Sequence, residues 1–326
     1  FDDRPNLSAD ISDLDIGLMR QHLKEVGSGL YELSQKMDML EIAKSLQIVA
    51  GPTENIKPLN VGILMFSEQP EKYFRYARIE VVDIPDPTGT NMVEKVFSGP
   101  IQRQLKDALA YIKNYTIKEA VIKTADKAEA TRVVNYPYAA VEEILSNAVY
   151  HRSYQINEPI TVRITGEGME ITSFPGFDRS ITEKDIESYK IRARAYRNRR
   201  IGDFLKELKL IEGRNTGYPN ALKALKENGS AYPEFKMDED RSYLSVTIPV
   251  HSYFSSKTAE SKKESDYQKR ILNALGKNAY SRNELAAAMG YKGISAKLTS
   301  AIEKMLQSGE LENTIVGARV KIKRKK

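Results

Sequence analysis

A chain of 326 residues, 41% hydrophobic and 29% charged, has material for two or three domains with buried cores. The absence of cysteine excludes disulfides, thiolate nucleophiles and Cys-based zinc sites, and three histidines leave little for metal chemistry. The longest apolar runs, such as residues 61–66, fall far short of the roughly 18 residues of a membrane span, and no signal sequence opens the chain. A cytoplasmic setting without a membrane partner is therefore expected. The first residue is Phe1 rather than Met, so the chain is expected to be a piece of a longer protein.

Residues 14–26 and 30–46 carry helical periodicity, and residues 59–66 and 77–83 read as strands. A Pro-Asp-Pro-Thr-Gly cluster at 85–90 reads as a turn. Residues 101–111 make an amphipathic helix and residues 119–123 a further strand. No internal repeat is present.

A helix is expected to enter through Pro137, with Ala140, Ile144, Leu145, Ala148 and Val149 on its apolar face. Glu143 and Asn147 lie four residues apart and point the same way, one turn above the other. A carboxylate that can take a proton from water, beside an amide oxygen that can face a hard cation, suits phosphate-ester chemistry. An ordinary solvated helix face has the same spacing. His151 and Arg152 can face phosphates from the helix end, although a structural histidine explains His151 equally well. The loop Gly213-Arg-Asn-Thr-Gly217 offers backbone amides for phosphate, with Thr216 and Gly217 as candidates; a simple connecting loop accounts for the same residues.

Charge is uneven. From Lys257 to Lys326 there are sixteen Lys or Arg against seven Asp or Glu, a balance of +9, whereas the remainder stands at −3. Positive charge gathered at one end points to a polyanion-binding module; a disordered basic tail is the plainer alternative. Residues 252–266 are rich in Ser, Lys and Glu and read as a linker. A helix with Tyr267, Ile271, Leu272 and Leu275 inward follows, closed near Gly276. Ser281 and Glu284 form a capping box for a short second helix ending at Met289 and Gly290. Ser295 caps a third, whose Leu298, Ile302 and Met305 share a stripe, with Gly309 beyond its end. Residues 311–316 and 319–323, turned at Gly317-Ala318, make a basic hairpin. Three helices and a hairpin fit a winged helix-turn-helix, with a helical protein-interaction domain as the alternative. On the third helix Lys297, Ser300 and Lys304 face outward. Lys297 and Ser300 suit base edges, while Lys304, Arg319 and Lys321 suit phosphates.

Taken together, Tyr136 to Tyr154, residues 160–166 and 169–173, Ser173-Phe-Pro-Gly-Phe177, Arg197-Asn-Arg-Arg-Ile201 and the loop from Leu210 to Gly217 carry a family likeness. So does the run from Pro58 to Phe66 and on to Pro70. In this order they resemble the RecG-related transcriptional-regulator family. The resemblance implies an α+β chain: the C-terminal part of a Schlafen/AlbA-type domain at 1–125, a divergent GHKL ATPase-like domain at 126–253, a linker at 254–265 and a winged helix at 266–326. The start of the Schlafen/AlbA domain would be the missing part. The resemblance also implies a strand pair at 160–166 and 169–173 and a turn through Gly176, a candidate nucleotide contact, with ATP and Mg as the candidate cofactors; in the rival ATPase reading Glu143 is the general base and Asn147 stands at the metal. Three departures weaken the nucleotide and metal site, one being the sparse second glycine loop, Gly213-Arg-Asn-Thr-Gly217, with two glycines in place of a dense cluster. At the turn where GHKL ATPases carry an Asp-x-Gly-x-Gly box for adenine, this chain has Thr172-Ser-Phe-Pro-Gly-Phe-Asp178. Ser153 stands where the family often has Asp. ATP hydrolysis is therefore expected to be absent or very slow. No Gly-x-x-x-x-Gly-Lys-Ser/Thr loop occurs, so the chain is not a motor helicase.

These residues read as a DNA-binding transcriptional regulator whose partner is duplex DNA, with dimeric binding compatible and no half-site spacing fixed. The alternatives are a Mg-dependent GHKL-type ATPase and a non-catalytic assembly protein that binds RNA or an acidic partner.

Overall fold

The computed structural model describes residues 1–85, 88–89, 91–122, 130–191, 196–211, 218–276, 278–316 and 319–325. The chain forms two units, Phe1–Ser252 and Tyr253–Lys326. Its architecture is mixed α/β.

In the first unit α1 (Ile16–Glu25) is capped by Asp15, whose carboxylate accepts the Leu18 N–H. The periodicity of residues 30–46 resolves into two helices, α2 (Leu30–Ser34) and α3 (Met39–Ser45), instead of one. The break has a local cause. Asp38 and Glu41 form a capping box that starts α3, and the Arg20 guanidinium holds the connection between the helices by donating to the carbonyls of Ser34 and Met37. A two-residue ladder, β1 (Val49–Ala50) with β2 (Lys57–Pro58), leads into α4 (Asn60–Phe66).

The strand expected over residues 59–66 is therefore a helix. Every residue of α4 is buried, and a short continuous apolar run carries no periodicity to separate strand from helix. Gly62 permits the packing: a Cβ there would stand 2.8 Å from the Ile48 carbonyl oxygen and 3.2 Å from the Ile48 Cβ. Gly62→Ala is expected to destabilise the unit by about 1–3 kcal/mol through overpacking, read as a lower urea midpoint.

The chain continues through β3 (Ile79–Asp83), β4 (Val93–Phe97), α5 (Ile101–Tyr111), the hairpin β5 (Glu119–Ile122) and β6 (Thr131–Val134), and α6 (Tyr138–His151). Then come β7 (Ile160–Ile164), β8 (Gly168–Ser173), α7 (Glu183–Glu187), α8 (Arg199–Glu207), α9 (Pro219–Asn228), β9 (Glu234–Lys236) and β10 (Leu244–Pro249). The turn expected at 85–90 falls partly, and the loop at 213–217 wholly, outside the described residues. Six strands form one sheet in the order β4-β3-β7-β8-β10-β9, with only β3 and β7 parallel. Register brings Val81, Val162, Ile171 and Val246 into one row across its four central strands, all buried. Alternate residues such as Arg163 and Thr247 lie on the more exposed face. Helix α5 packs on β3 and β4, while α6 packs on β8 and β10 with α9 beside it.

The second unit has its own core, built from Tyr267, Ile271, Leu275, Leu285, Leu298, Ile302 and Met305 with Leu311 and Ile322. Its helices are α10 (Ser252–Leu275), α11 (Arg282–Ala288) and α12 (Ala296–Gln307), followed by the hairpin β11 (Leu311–Val316) and β12 (Arg319–Arg324). The segment expected as a linker at 254–265 is helical, part of α10. Lys, Glu and Ala are strong helix formers and no Gly or Pro interrupts them, so a polar composition does not by itself mark a loop. The capping box of Ser281 and Glu284 and the Ser295 cap form as expected. Gly317 and Ala318 lie outside the described residues.

The Ser281 backbone and hydroxyl, together with the Lys321 ammonium 3.1 Å away, hold the Glu284 carboxyl down at about 2. A depressed folded value stabilises above the unfolded carboxyl pKa and loses that contribution as pH falls toward about 2. An NMR titration of Glu284 should therefore place its midpoint near 2, and Lys321→Ala should raise it.

Candidate functional site

Helix α6 supplies one wall of a cavity of about 810 Å³ in the first unit, a size suited to a small organic ligand. Glu143, Asn147, Tyr150 and His151 all border it. Their spacing of i, i+4, i+7 and i+8 sets them along one helix face. Opposite walls come from β8 and β10, through Ile171, Ser173, Leu244 and Val246, and from α9, through Asn220 and Ala224.

At one end the Glu143 Oε2 accepts the Ala221 N–H at 2.5 Å. The carboxylate thus caps the first turn of α9, where Pro219 opens the helix and unpaired amides favour negative charge. Tyr218 is buried beside it, and burial, reinforced by the Glu143 charge, pushes its hydroxyl well above the usual range. Asn147 is half-buried and one turn further along α6.

At the other end three rings meet. Tyr150 and His151 are 4.5 Å apart between ring centroids, and Tyr196 stacks on both at 5.5 and 5.8 Å. Arg199 lies over the Tyr196 ring at 6.0 Å. Burial and the nearby Arg197 guanidinium push His151 down to about 4, so its imidazole is neutral at physiological pH. Burial pushes the Tyr150 hydroxyl up to about 12.

The Arg-Asn pair of the 197–201 segment ties this end of α6 in place. Arg197 Nη1 donates to the His151 carbonyl at 3.1 Å, and Asn198 Nδ2 donates to the carbonyls of Tyr150 and Arg152 at 2.9 and 2.7 Å. Side chains thereby satisfy the orphan carbonyls of the helix end, one of them carrying the positive charge the helix dipole favours.

Gly176 sits in the turn after β8, beyond a cis Phe174–Pro175 bond, and borders the cavity. Its N–H donates to the Arg241 carbonyl at 2.7 Å, and a Cβ would meet the Tyr243 carbonyl at 2.8 Å, so only glycine lets the turn lie this close to the strand. Asp178 also borders the cavity. Its carboxylate accepts the Ser180 N–H at 2.9 Å, and hydrogen bonding at Ser180 holds its pKa below the usual carboxylate value.

The structure thus brings Glu143, Asn147, His151 and Gly176 to one cavity. Arg152 differs. It is 2% exposed, and its guanidinium donates to the carbonyls of Tyr76, Ile156 and Glu158 while lying over the Tyr154 ring. Arg152 is a structural cross-link and does not border the cavity. His151 does border the cavity, with a neutral imidazole. Thr216 and Gly217 lie outside the described residues. Among the described residues no group of three or more His, Cys, Asp or Glu side chains is placed to hold a metal ion. Tyr150, Tyr196 and Tyr218 were not singled out in the sequence, and Arg197 entered only as part of a motif with no site role. Tyr150 could have been found by continuing the Glu143–Asn147 face one more turn; the others come from segments far along the chain.

In the second unit Lys297, Ser300 and Lys304 are exposed on α12. Lys297 lies over the Tyr267 ring at 4.8 Å. Lys321, read from the sequence as a phosphate contact, is paired with Glu284, because Glu284 at the start of α11 faces β12. The Arg319 backbone pairs with Val316, and its side chain is outside the described set.

A family profile described as "Putative ATP-dependent DNA helicase recG C-terminal" matches residues 157–248, from before β7 to near the end of β10. No curated protein matches the sequence. Among solved structures, the DIP2311 protein from Corynebacterium diphtheriae resembles this chain with a TM-score of 0.57 at 18% identity. The likeness covers 98% of this chain and 62% of that one, so this chain spans less than two thirds of that protein's length. Among the described residues no helix is long and apolar enough to cross a membrane. The chain therefore carries, in part, a GHKL-type ATPase-like region within a mixed α/β architecture.

Proposed function

We propose that the first unit binds ATP in the α6 cavity as a Mg-dependent GHKL-type site, and that it hydrolyses the nucleotide slowly. The observation that carries this reading is the meeting of Glu143, Asn147 and the first turn of α9 at one end of an 810 Å³ cavity beside the matched region. That end offers a carboxylate near backbone amides, an amide oxygen for a hard cation and a helix N-terminus for phosphate. Asn147 is the protein ligand for magnesium, which when bound neutralises phosphate charge. Glu143 is the base that takes a proton from attacking water. Slow turnover follows from its second duty, since one carboxylate oxygen is held on the Ala221 amide. Calorimetric titration of the full chain with Mg-ATP should give a saturable one-to-one isotherm that Asn147→Leu weakens. No heat up to millimolar ATP would overturn the reading.

A second reading concerns the second unit, which we propose to be a winged helix that binds duplex DNA and makes the chain a transcriptional regulator. Its support is the order of three helices and a hairpin, with Lys297, Ser300 and Lys304 exposed along α12 and the surplus of positive charge in residues 257–326. Anisotropy titrations of the full chain with duplex DNA should lose affinity steeply as salt rises. Substituting Lys297 or Ser300 should alter the preference among sequences. Sequence-independent losses at both positions would reduce the unit to a polyanion binder.

A further inference from the structure

The cavity has an aromatic end that the chemistry of Glu143 and Asn147 does not use. Helix α6 rises about 1.5 Å per residue, so His151 stands about 12 Å along the helix from Glu143. The phosphate-suited end and the ring-lined end are thus separated along one wall, as the two ends of a nucleotide are. The ring-lined end combines Tyr150, His151 and Tyr196 with the Arg199 guanidinium over Tyr196. Aromatic rings and guanidinium planes are the surfaces on which bases stack. The rings are held in place: Asn198 and Arg197 clamp the backbone of Tyr150 and His151. Gly202 of α8 lies so close to Tyr150 that a Cβ there would meet its ring at 2.4 and 2.5 Å and its hydroxyl at 2.7 Å.

We propose that this wall receives the planar purine base of the nucleotide, with Tyr196 as the principal base-contacting residue and His151 beside it. The inference rests on the nucleotide reading above and names its base subsite. It also explains how the chain can recognise a base although the turn from Thr172 to Asp178 lacks an Asp-x-Gly-x-Gly box. A neutral imidazole offers one N–H donor and one lone pair, which complement the mixed donor and acceptor edge of a purine without a buried charge.

The test measures affinities of the full chain for Mg-ATP and for Mg-tripolyphosphate, which has phosphates and no base. Tyr196→Leu should weaken ATP by about tenfold or more and leave tripolyphosphate within about twofold, and Tyr196→Phe, which keeps the ring, should retain ATP affinity. The Phe variant also serves as the folding control. Unchanged ATP affinity in Tyr196→Leu would overturn the base subsite while leaving the nucleotide reading in place. Equal losses of ATP and tripolyphosphate would also overturn it, making the wall a phosphate site. Wild-type protein that takes up neither ligand would remove the nucleotide reading and this inference with it.

Discussion

Glu143→Gln is expected to leave Mg-ATP affinity within about threefold and to lower phosphate release by about 10²–10⁴-fold, the usual contribution of a positioned general base. The substitution separates the two duties of the residue. The glutamine amide oxygen can still accept the Ala221 N–H, so the first turn of α9 keeps its cap and the cavity its shape. What is lost is the ability to take a proton from water. Phosphate release over long incubations, with wild-type and variant protein at saturating ATP, gives the ratio directly. Equal rates would show that Glu143 only caps α9 and that any hydrolysis uses another group.

Arg152→Ala is expected to destabilise the first unit strongly, by about 3 kcal/mol or more. The side chain is buried and spends its donors on three carbonyls, at 3.2 Å to Tyr76, 3.5 Å to Ile156 and 2.7 Å to Glu158. Alanine would leave these acceptors without their partner and open a void beside Tyr154, whose ring lies 4.8 Å from the guanidinium. Lysine should recover little, since one ammonium cannot reproduce the planar fork. The fall should appear in the denaturation midpoint. A variant as stable as wild type but deficient in ATP binding would return Arg152 to the ligand site.

The outcome at Arg152 shows where sequence reading reaches its limit. An Arg after a His at a helix end reads as a phosphate contact, and the sequence does not show that Tyr76, Ile156 and Glu158 turn their carbonyls to the same point. Local signals fared better. The amphipathic period of α5, the capping box of Ser281 and Glu284, the Ser295 cap and the shared face of Glu143 and Asn147 depend on neighbours within a turn or two, and each takes the expected form. Failures arose where burial is uniform or where partners are distant. Residues 60–66 are buried on every side, so strand and helix look alike in sequence. Residues 254–265 are polar on composition yet helical. The stacking of Tyr196 on Tyr150 and His151 brings together positions more than forty residues apart, which no periodicity reveals. The Arg197-Asn198 pair was legible as a motif, but its work, closing the end of α6, needed the fold.

The central claim is that the α6 cavity is the nucleotide site, and photolabelling locates that site most directly. The full chain would be irradiated with an azido-ATP in the presence of Mg and then digested and mapped by mass spectrometry. Label should fall on peptides from α6, the turn after β8, residues 196–199 and α9, and excess ATP should remove it. Label confined to other peptides, or label that ATP does not displace, would contradict the assignment.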